Sequence, residues 1–191
     1  HWNLENLLNN TNGEVDVWIN SNADSVELYL NKKSLGIKSM PKNSHLKWKV
    51  QYQPGTLEAI GYKQGRIIKS KVETTGAATQ IGLTANKSKA VANGTDIVVI
   101  NVAAKDTEGR IVPTANNLIN FEIAGDAKII GVGNGDPSCH EADVCLDNNW
   151  KRSLFNGYCQ VIVQVGKTKG IFKLKASSGN LKNASVDVVA F

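Results

Sequence analysis

The clearest pattern of hydrophobic and polar positions lies in residues 45–66. Every second residue between positions 46 and 52 is apolar: Leu46, Trp48, Val50 and Tyr52. Because successive side chains of a strand point to opposite faces, this alternation predicts a strand with one buried face. The Pro54-Gly55 dipeptide that follows is typical of a turn. Two further strands are predicted on either side of a short hairpin signal at residues 63–66.

Short alternating segments of the same kind fill the first part of the chain. They predict strands over residues 15–19, 26–30, 35–40, 46–52, 57–63 and 66–74. About seven short strands with turn signals roughly every 8–12 residues are typical of an immunoglobulin-like sandwich. No segment longer than a turn or two has helical periodicity, so the whole chain is predicted to be all-β.

Small residues without apolar periodicity at positions 74–78 mark a predicted domain boundary. Beyond this boundary the strand pattern restarts. It predicts strands over residues 80–85, 97–102, 118–123, 128–132, 158–165, 170–176 and 184–190. We therefore predict two tandem immunoglobulin-like β-sandwich domains, residues 1–76 and 77–191.

The net charge of +5 does not indicate a nucleic-acid surface. Lysines sit at alternate strand positions, as Lys47 and Lys49 do, and this is typical of a solvated sheet face. Nucleic-acid binding would need clustered charge or a known module. No apolar run approaches the roughly 20 residues that cross a bilayer. We predict no nucleic-acid partner, no membrane span and no cofactor. Because the chain begins at His1 without a signal-like segment, we interpret it as a piece of a longer polypeptide.

Residues 131–141 form the most unusual stretch, with three alternating glycines, an Asp-Pro break and adjacent His and Glu. The candidate binding residues of this loop are Asn134, Asp136, His140 and Glu141. A phosphate loop would also need a helix start and a lysine. Asp136, His140 and Glu141 are possible metal ligands. Without a spaced partner motif they are weak evidence for a metal site, and we predict none. The plainer interpretation is a long inter-strand loop with positive φ at its glycines.

The sequence offers no candidate catalytic residue. Its carboxylates are scattered and mostly follow turns, whereas glycoside hydrolysis needs a pair of them. The histidines His1, His45 and His140 come without a nucleophile motif.

Three aromatic residues are candidates for an exposed sugar-stacking surface. Trp18 and Tyr29 lie out of phase with their apolar neighbours, and Trp150 lies in the polar run of residues 147–152. Such rings can bind carbohydrate, but they more commonly pack under a loop or on a neighbouring domain.

The three cysteines, Cys139, Cys145 and Cys159, have no CxxC spacing and do not indicate a zinc site. Cys139 and Cys145 flank a loop and can pair in an oxidising compartment, which would leave Cys159 as a buried thiol. Three unpaired thiols are equally compatible with the sequence.

Several of these runs together resemble one protein family. Residues 1–3 and the run Val-Trp-Ile-Asn-Ser-Asn-Ala-Asp-Ser-Val-Glu-Leu-Tyr-Leu-Asn at 17–31 resemble a region after the catalytic barrel in large bacterial β-galactosidases of glycoside hydrolase family 2. There the run VWVYSN…D.VELFLNGKSLG is typical. Residues 48–59 resemble the same region. Residues 112–115, 131–137 and 155–157 resemble the family's final immunoglobulin-like domain, so the resemblance covers nearly the whole chain.

The resemblance implies a non-catalytic role. In that family the acid/base and nucleophile glutamates lie in the upstream barrel, so no catalytic residue is carried over. The parent would be a retaining exo-glycosidase, periplasmic or secreted, from a bacterium that degrades polysaccharides. These domains would pack on the barrel or its neighbours. Export would favour an oxidising compartment and with it a Cys139–Cys145 disulfide.

Three hypotheses follow for the function of the chain. The first is an accessory segment that supports the barrel or interdomain packing. The second is a carbohydrate-binding module that uses Trp18, Tyr29 or Trp150, with the loop at 131–141. The third is an adhesin-like immunoglobulin tandem. Three coplanar exposed aromatics would favour the second hypothesis, and an exposed apolar patch would favour the first.

Overall fold

A computed structural model describes residues 1–5, 13–145 and 147–191. These residues form fifteen strands and no helix, which confirms the predicted all-β class. They divide into two compact units, His1–Thr75 and Gly76–Phe191, called here the N-terminal and C-terminal units. Within the described ranges, no helix is long and apolar enough to cross a membrane.

The N-terminal unit is a sandwich of two unequal sheets. Its described strands are β1 (Glu14–Ile19), β2 (Ser25–Leu30), β3 (Lys33–Ser39), β4 (Leu46–Gln51), β5 (Thr56–Lys63) and β6 (Arg66–Glu73). Among these described strands, one sheet has the order β3-β2-β5-β6, and the other contains β1 and β4. The described part of this unit therefore has six strands, where the sequence pattern indicated about seven.

Strand β4 shows why the alternating pattern folds this way. Leu46, Trp48 and Val50 are buried, and the residues between them are exposed. The antiparallel pairing with β1 places Val17 opposite Trp48, so the apolar side chains of both strands point to the same core. The four-stranded sheet supplies the other side of that core through Val26, Leu28, Leu30 and Leu57.

The described residues of the C-terminal unit form nine strands around a second core. They are β7 (Gln80–Ala85), β8 (Lys89–Ala90), β9 (Ile97–Lys105), β10 (Leu118–Ala124), β11 (Ala127–Gly133), β12 (Lys151–Ser153), β13 (Tyr158–Val165), β14 (Gly170–Ser178) and β15 (Leu181–Ala190). Their order is β11-β13-β9-β7-β15-β14-β10-β12, with β8 also paired to β15. Strands β7 and β15 are joined by a short parallel pairing, and the other pairs along this order are antiparallel.

A buried carboxylate, Asp106, fixes the turn after β9. It accepts hydrogen bonds from the backbone N–H groups of Gly76, Glu108 and Arg110 at 2.9–3.1 Å, and an ion pair joins it to Arg110 at 2.8 Å. Burial pushes the pKa of Asp106 upward, but the hydrogen bonds from Arg110 and Gly76 outweigh burial and hold the pKa below its ordinary value. The charge is therefore retained, and it ties Gly76 to the C-terminal unit.

The turn between β2 and β3 holds two non-glycine residues in the left-handed region. Asn31 has φ +50° and Lys32 has φ +68°, between the paired residues Leu30 and Lys33. Positive φ at both central positions defines a type I′ hairpin turn, in which glycine is preferred at the second position. Asn31 is further held by its amide, which contacts the backbone of Pro54 and Thr56.

Replacing Lys32 by glycine should stabilise the N-terminal unit. Lys32→Gly removes the steric cost of a left-handed residue, and we expect a gain of about 1 kcal/mol in the free energy of unfolding. Urea denaturation followed by fluorescence of the buried Trp2 and Trp48 measures the gain. Lys33→Gly, one position later in β3, is the control and should cost about 0.5–1 kcal/mol. A loss of stability with Lys32→Gly would contradict the assigned turn.

Candidate functional site

The loop that carried the candidate binding residues is organised around Arg152 of β12. Arg152 is only 1% exposed. Its guanidinium donates to the carbonyl oxygen of Val132 at 3.1 Å, contacts the Sγ atom of Cys139 at 3.0 Å and forms an ion pair with Asp143. Burial lowers the pKa of Arg152, but the bonds to Cys139 and Asp143 outweigh burial, so the pKa is raised and the side chain stays charged. Val132, Cys139 and Asp143 are thereby fastened to one buried cation.

Glu141 lies on the outer side of the same cation. Its carboxylate accepts hydrogen bonds from the N–H and hydroxyl of Ser153, and one carboxylate oxygen lies 3.9 Å from Nε of Arg152. Partial burial raises the pKa of Glu141, but Ser153 and the positive charge of Arg152 outweigh burial and leave the pKa below its ordinary value. Glu141 is therefore an ionised structural group rather than a proton donor near neutral pH.

Asn134 and Asp136 are likewise used by the loop itself. The Asn134 side chain accepts from the N–H of Asp136 at 3.0 Å and donates to the carbonyl of Ser153 at 3.0 Å. Asp136 accepts from the N–H and hydroxyl of Ser138 at 2.8 and 2.7 Å, and these bonds lower its pKa. His140 is exposed. Among the described residues, no three His, Cys, Asp or Glu side chains come together closely enough to hold a metal ion.

The glycines of this stretch have a different role from the one expected. Only Gly135 has positive φ, +75°. Gly131 and Gly133 belong to β11, where the register shifts at a bulge between Ile129 and Gly131. The expectation of positive φ throughout was wrong because Gly131 and Gly133 take part in the pairing of β11 with β13 instead of forming a loop.

All three cysteines are free thiols in the structure. The Cys139–Cys145 disulfide considered from the sequence is thus not formed here, and Cys139 contacts Arg152 and Asn134 instead. Cys159 is buried in the C-terminal core, and burial raises the pKa of its thiol to about 12. It is therefore unreactive at neutral pH.

The three candidate sugar-stacking aromatics have very different environments. Trp18 is 59% exposed, and the ring of His45 stacks parallel to it at 4.3 Å. Tyr29 is half-buried, and its hydrogen bond to Glu27 raises the pKa of its hydroxyl to about 12. Trp150 is 8% exposed, so its expected exposure was wrong. Its backbone carbonyl accepts a hydrogen bond from the N–H of Phe121 in β10. This bond holds Trp150 against the C-terminal core.

A surface that the sequence reasoning missed lies on the side of the four-stranded sheet opposite its core. We call this surface the outer face. Ile37 and Ile67 are 59% and 61% exposed, and the register of β2, β3, β5 and β6 places them on the side of the sheet that carries Glu27 and Tyr62. Ile60 and Tyr29 share the same side by strand alternation. The sequence signal for this surface was that β5 and β6 carry apolar residues at both odd and even positions, and therefore on both faces of the sheet.

Arg152→Met tests whether the buried cation holds the loop. Methionine keeps the aliphatic bulk but removes every hydrogen bond of the guanidinium, so we expect a loss of about 1–3 kcal/mol in unfolding free energy. Amides of residues 134–145 should also exchange faster with solvent. Lys151→Met, at an exposed neighbouring position, should change stability by less than about 0.5 kcal/mol. Unchanged amide exchange in the loop would contradict this role of Arg152.

The matches to known proteins together extend over the full length of the chain. Residues 81–187 match the model of glycoside hydrolase family 2 C-terminal domain 5, and residues 12–69 match a domain of unknown function (DUF4982). The chain is 36% identical to the β-galactosidase BoGH2A of Bacteroides ovatus, covering 100% of this chain and 22% of that protein. It is 33% identical to a putative β-glucuronidase of Formosa agariphila, covering 72% of this chain and 13% of that protein.

A solved structure agrees with these matches. A glycosyl hydrolase family 2 member from Bacteroides cellulosilyticus superposes with a TM-score of 0.89 at 31% identity, covering 100% of this chain and 24% of that one. The chain thus spans about a fifth of the length of the curated relative it matches throughout. The family model covers more than half of the chain and confirms the resemblance drawn from its sequence. The chain belongs to the glycoside hydrolase family 2 C-terminal domain 5 family.

Proposed function

We propose that the chain is a non-catalytic accessory segment of a longer family 2 glycoside hydrolase, and that it supports the catalytic barrel through interdomain packing. The observation that carries this proposal is the outer face, where Ile37 and Ile67 are both more than half exposed. Isolated exposed apolar residues are common, but several on one flat sheet surface favour an interface.

Glu27, Ser34 and Tyr62 of the outer face are paired with one another. The carboxylate of Glu27 accepts from the hydroxyl of Ser34 at 2.6 Å and lies 3.3 Å from that of Tyr62. The hydrogen bond from Ser34, followed by that from Tyr29, holds the pKa of Glu27 below its ordinary value. A partner surface can cover such a carboxylate without leaving its oxygens unbonded, because these hydrogen bonds come from its own sheet.

The family assignment supports a parent with hydrolase activity on β-linked sugars. Relatives that match this chain carry the names β-galactosidase and β-glucuronidase, and this chain accounts for about a fifth or less of their length. We assign the reaction to the remainder of the polypeptide and favour a β-galactosidase-type parent. Export to the periplasm or the medium is part of the same proposal.

The carbohydrate-binding alternative depends on Trp18. Its indole is 59% exposed, but His45 stacks on the ring and the ammonium of Lys47 lies 5.8 Å from the ring centroid. Trp150 is buried, and Tyr29 lies half-buried on the other sheet of the N-terminal unit, so neither extends the surface of Trp18. An adhesin-like role would leave the family membership without explanation.

Glu141→Gln and Asp136→Asn in the full-length enzyme test the non-catalytic role. Because both carboxylates serve the loop, we expect hydrolysis of nitrophenyl β-galactoside and β-glucuronide to stay within about threefold of the unaltered enzyme. A general acid or base would lose about 10²–10⁴-fold. A loss of that size in kcat, with an unchanged far-UV spectrum, would contradict the proposal.

Ile67→Glu in the full-length protein tests the outer face. A charge placed in a packed interface is costly, so we expect the Tm of the full-length protein to fall by several degrees. Val91→Glu, at an exposed apolar position in the C-terminal unit, is the matched control and should move the Tm by less than one degree or so. Equal, small effects of the two variants would show that the outer face is free in the intact enzyme.

A further inference from the structure

Strand β1 has one edge without a partner among the described strands, since it pairs only with β4. The N–H of Tyr52 donates to the carbonyl of Gly13, which makes that residue pair a hydrogen-bonded one. Hydrogen-bonded and non-hydrogen-bonded residue pairs alternate along two antiparallel strands. The register therefore directs the backbone groups of Val15, Val17 and Ile19 to β4. Those of Glu14, Asp16 and Trp18 point to the open edge.

The core beneath this open edge is incompletely covered. Val15, Val17 and Ile19 are half-buried, although Trp48 and Val50 opposite them on β4 are fully buried. A cleft of about 400 Å³ runs along β1 and across to Val72 of β6, which is 39% exposed. Ser70 and Val72 lie on the core-facing side of β6, because β6 pairs them with Ala59 and Leu57. The four-stranded sheet thus extends beyond the two strands that face it.

The first residues of the chain show how this cleft is entered. Trp2 is buried beside the end of β4, where its indole donates to the carbonyl of Gln53 at 2.9 Å. Its carbonyl accepts from the hydroxyl of Thr74 at 2.7 Å. Trp2 therefore sits near the start of β1, and His1, Trp2 and Trp18 all line the cleft. Asn3 is bonded to Thr75 beyond the end of β6, whereas His1 lines the cleft, so a chain extended backwards from His1 would lead along the cleft from the start of β1 toward its end.

We propose that the segment immediately preceding His1 in the longer polypeptide occupies this cleft as a third strand, antiparallel to β1. The inference rests on the proposed function, which places the chain within a larger protein. Six residues at about 3.3 Å each would pair along the whole of β1. Alternate side chains of that strand would cover Val17 and Val72, so they are expected to be apolar. The strand also removes an open sheet edge, which is a site for unwanted pairing.

Amide hydrogen exchange resolved to single residues in the full-length protein tests the pairing. The N–H groups of Asp16 and Trp18 should exchange at least about 100-fold more slowly than those of Lys47 and Lys49, which point to the opposite edge of the same sheet. Equal rates at both edges would overturn the proposal. Protection that appears only at high protein concentration would also overturn it, because a second copy would then occupy the cleft.

Cysteine trapping in the full-length protein identifies the occupant. Val17→Cys is combined with a single cysteine at each of the six positions that precede His1. The side chain directly opposite position 17 on a neighbouring strand lies close enough for a disulfide, whereas its diagonal neighbours lie about 7–8 Å away, so a cross-link should form at one position only. Lys49→Cys, on the solvent side of β4, is the control and should give none. Absence of a cross-link from all six positions would overturn the assignment. This result would not affect the outer face, which Ile67→Glu tests separately.

Discussion

The two sheets of the N-terminal unit differ in width, and this difference determines which apolar side chains are left for other polypeptide to cover. A sheet must bury its apolar side against a second layer, yet among the described strands four face two. Val72 and the inward residues of β1 stay partly open to solvent as a result. The other side of the same four-stranded sheet exposes Ile37 and Ile67. Both sides of one sheet therefore carry apolar area that further polypeptide could cover.

The charged groups that organise the loops of the C-terminal unit are structural. Asp106 and Arg152 are buried and paired with charged or backbone partners, so each anchors one loop of the C-terminal unit. Glu141 is bonded to Ser153 next to Arg152. Carboxylates whose pKa values are held low by fixed donors suit scaffolding better than proton transfer at neutral pH.

Strands with strict alternation could be predicted from the sequence, because burial of one face determines both their pattern and their pairing. Strands β7 and β13 begin and end where the pattern indicates. Strands β8 and β12 were missed, since two or three residues carry no period. Trp150 was misjudged because its burial depends on a hydrogen bond to Phe121, a residue distant in sequence. The outer face was missed because Ile37, Ile60 and Ile67 come together only when the sheet order is known.

A cryo-EM structure of the full-length polypeptide tests the central claim most directly. The claim predicts that the outer face around Ile37 and Ile67 is covered by another part of the protein, and that a continuous strand lies beside Asp16 and Trp18. A structure in which both surfaces face solvent, with this segment attached only through its linker, would contradict the role in interdomain support.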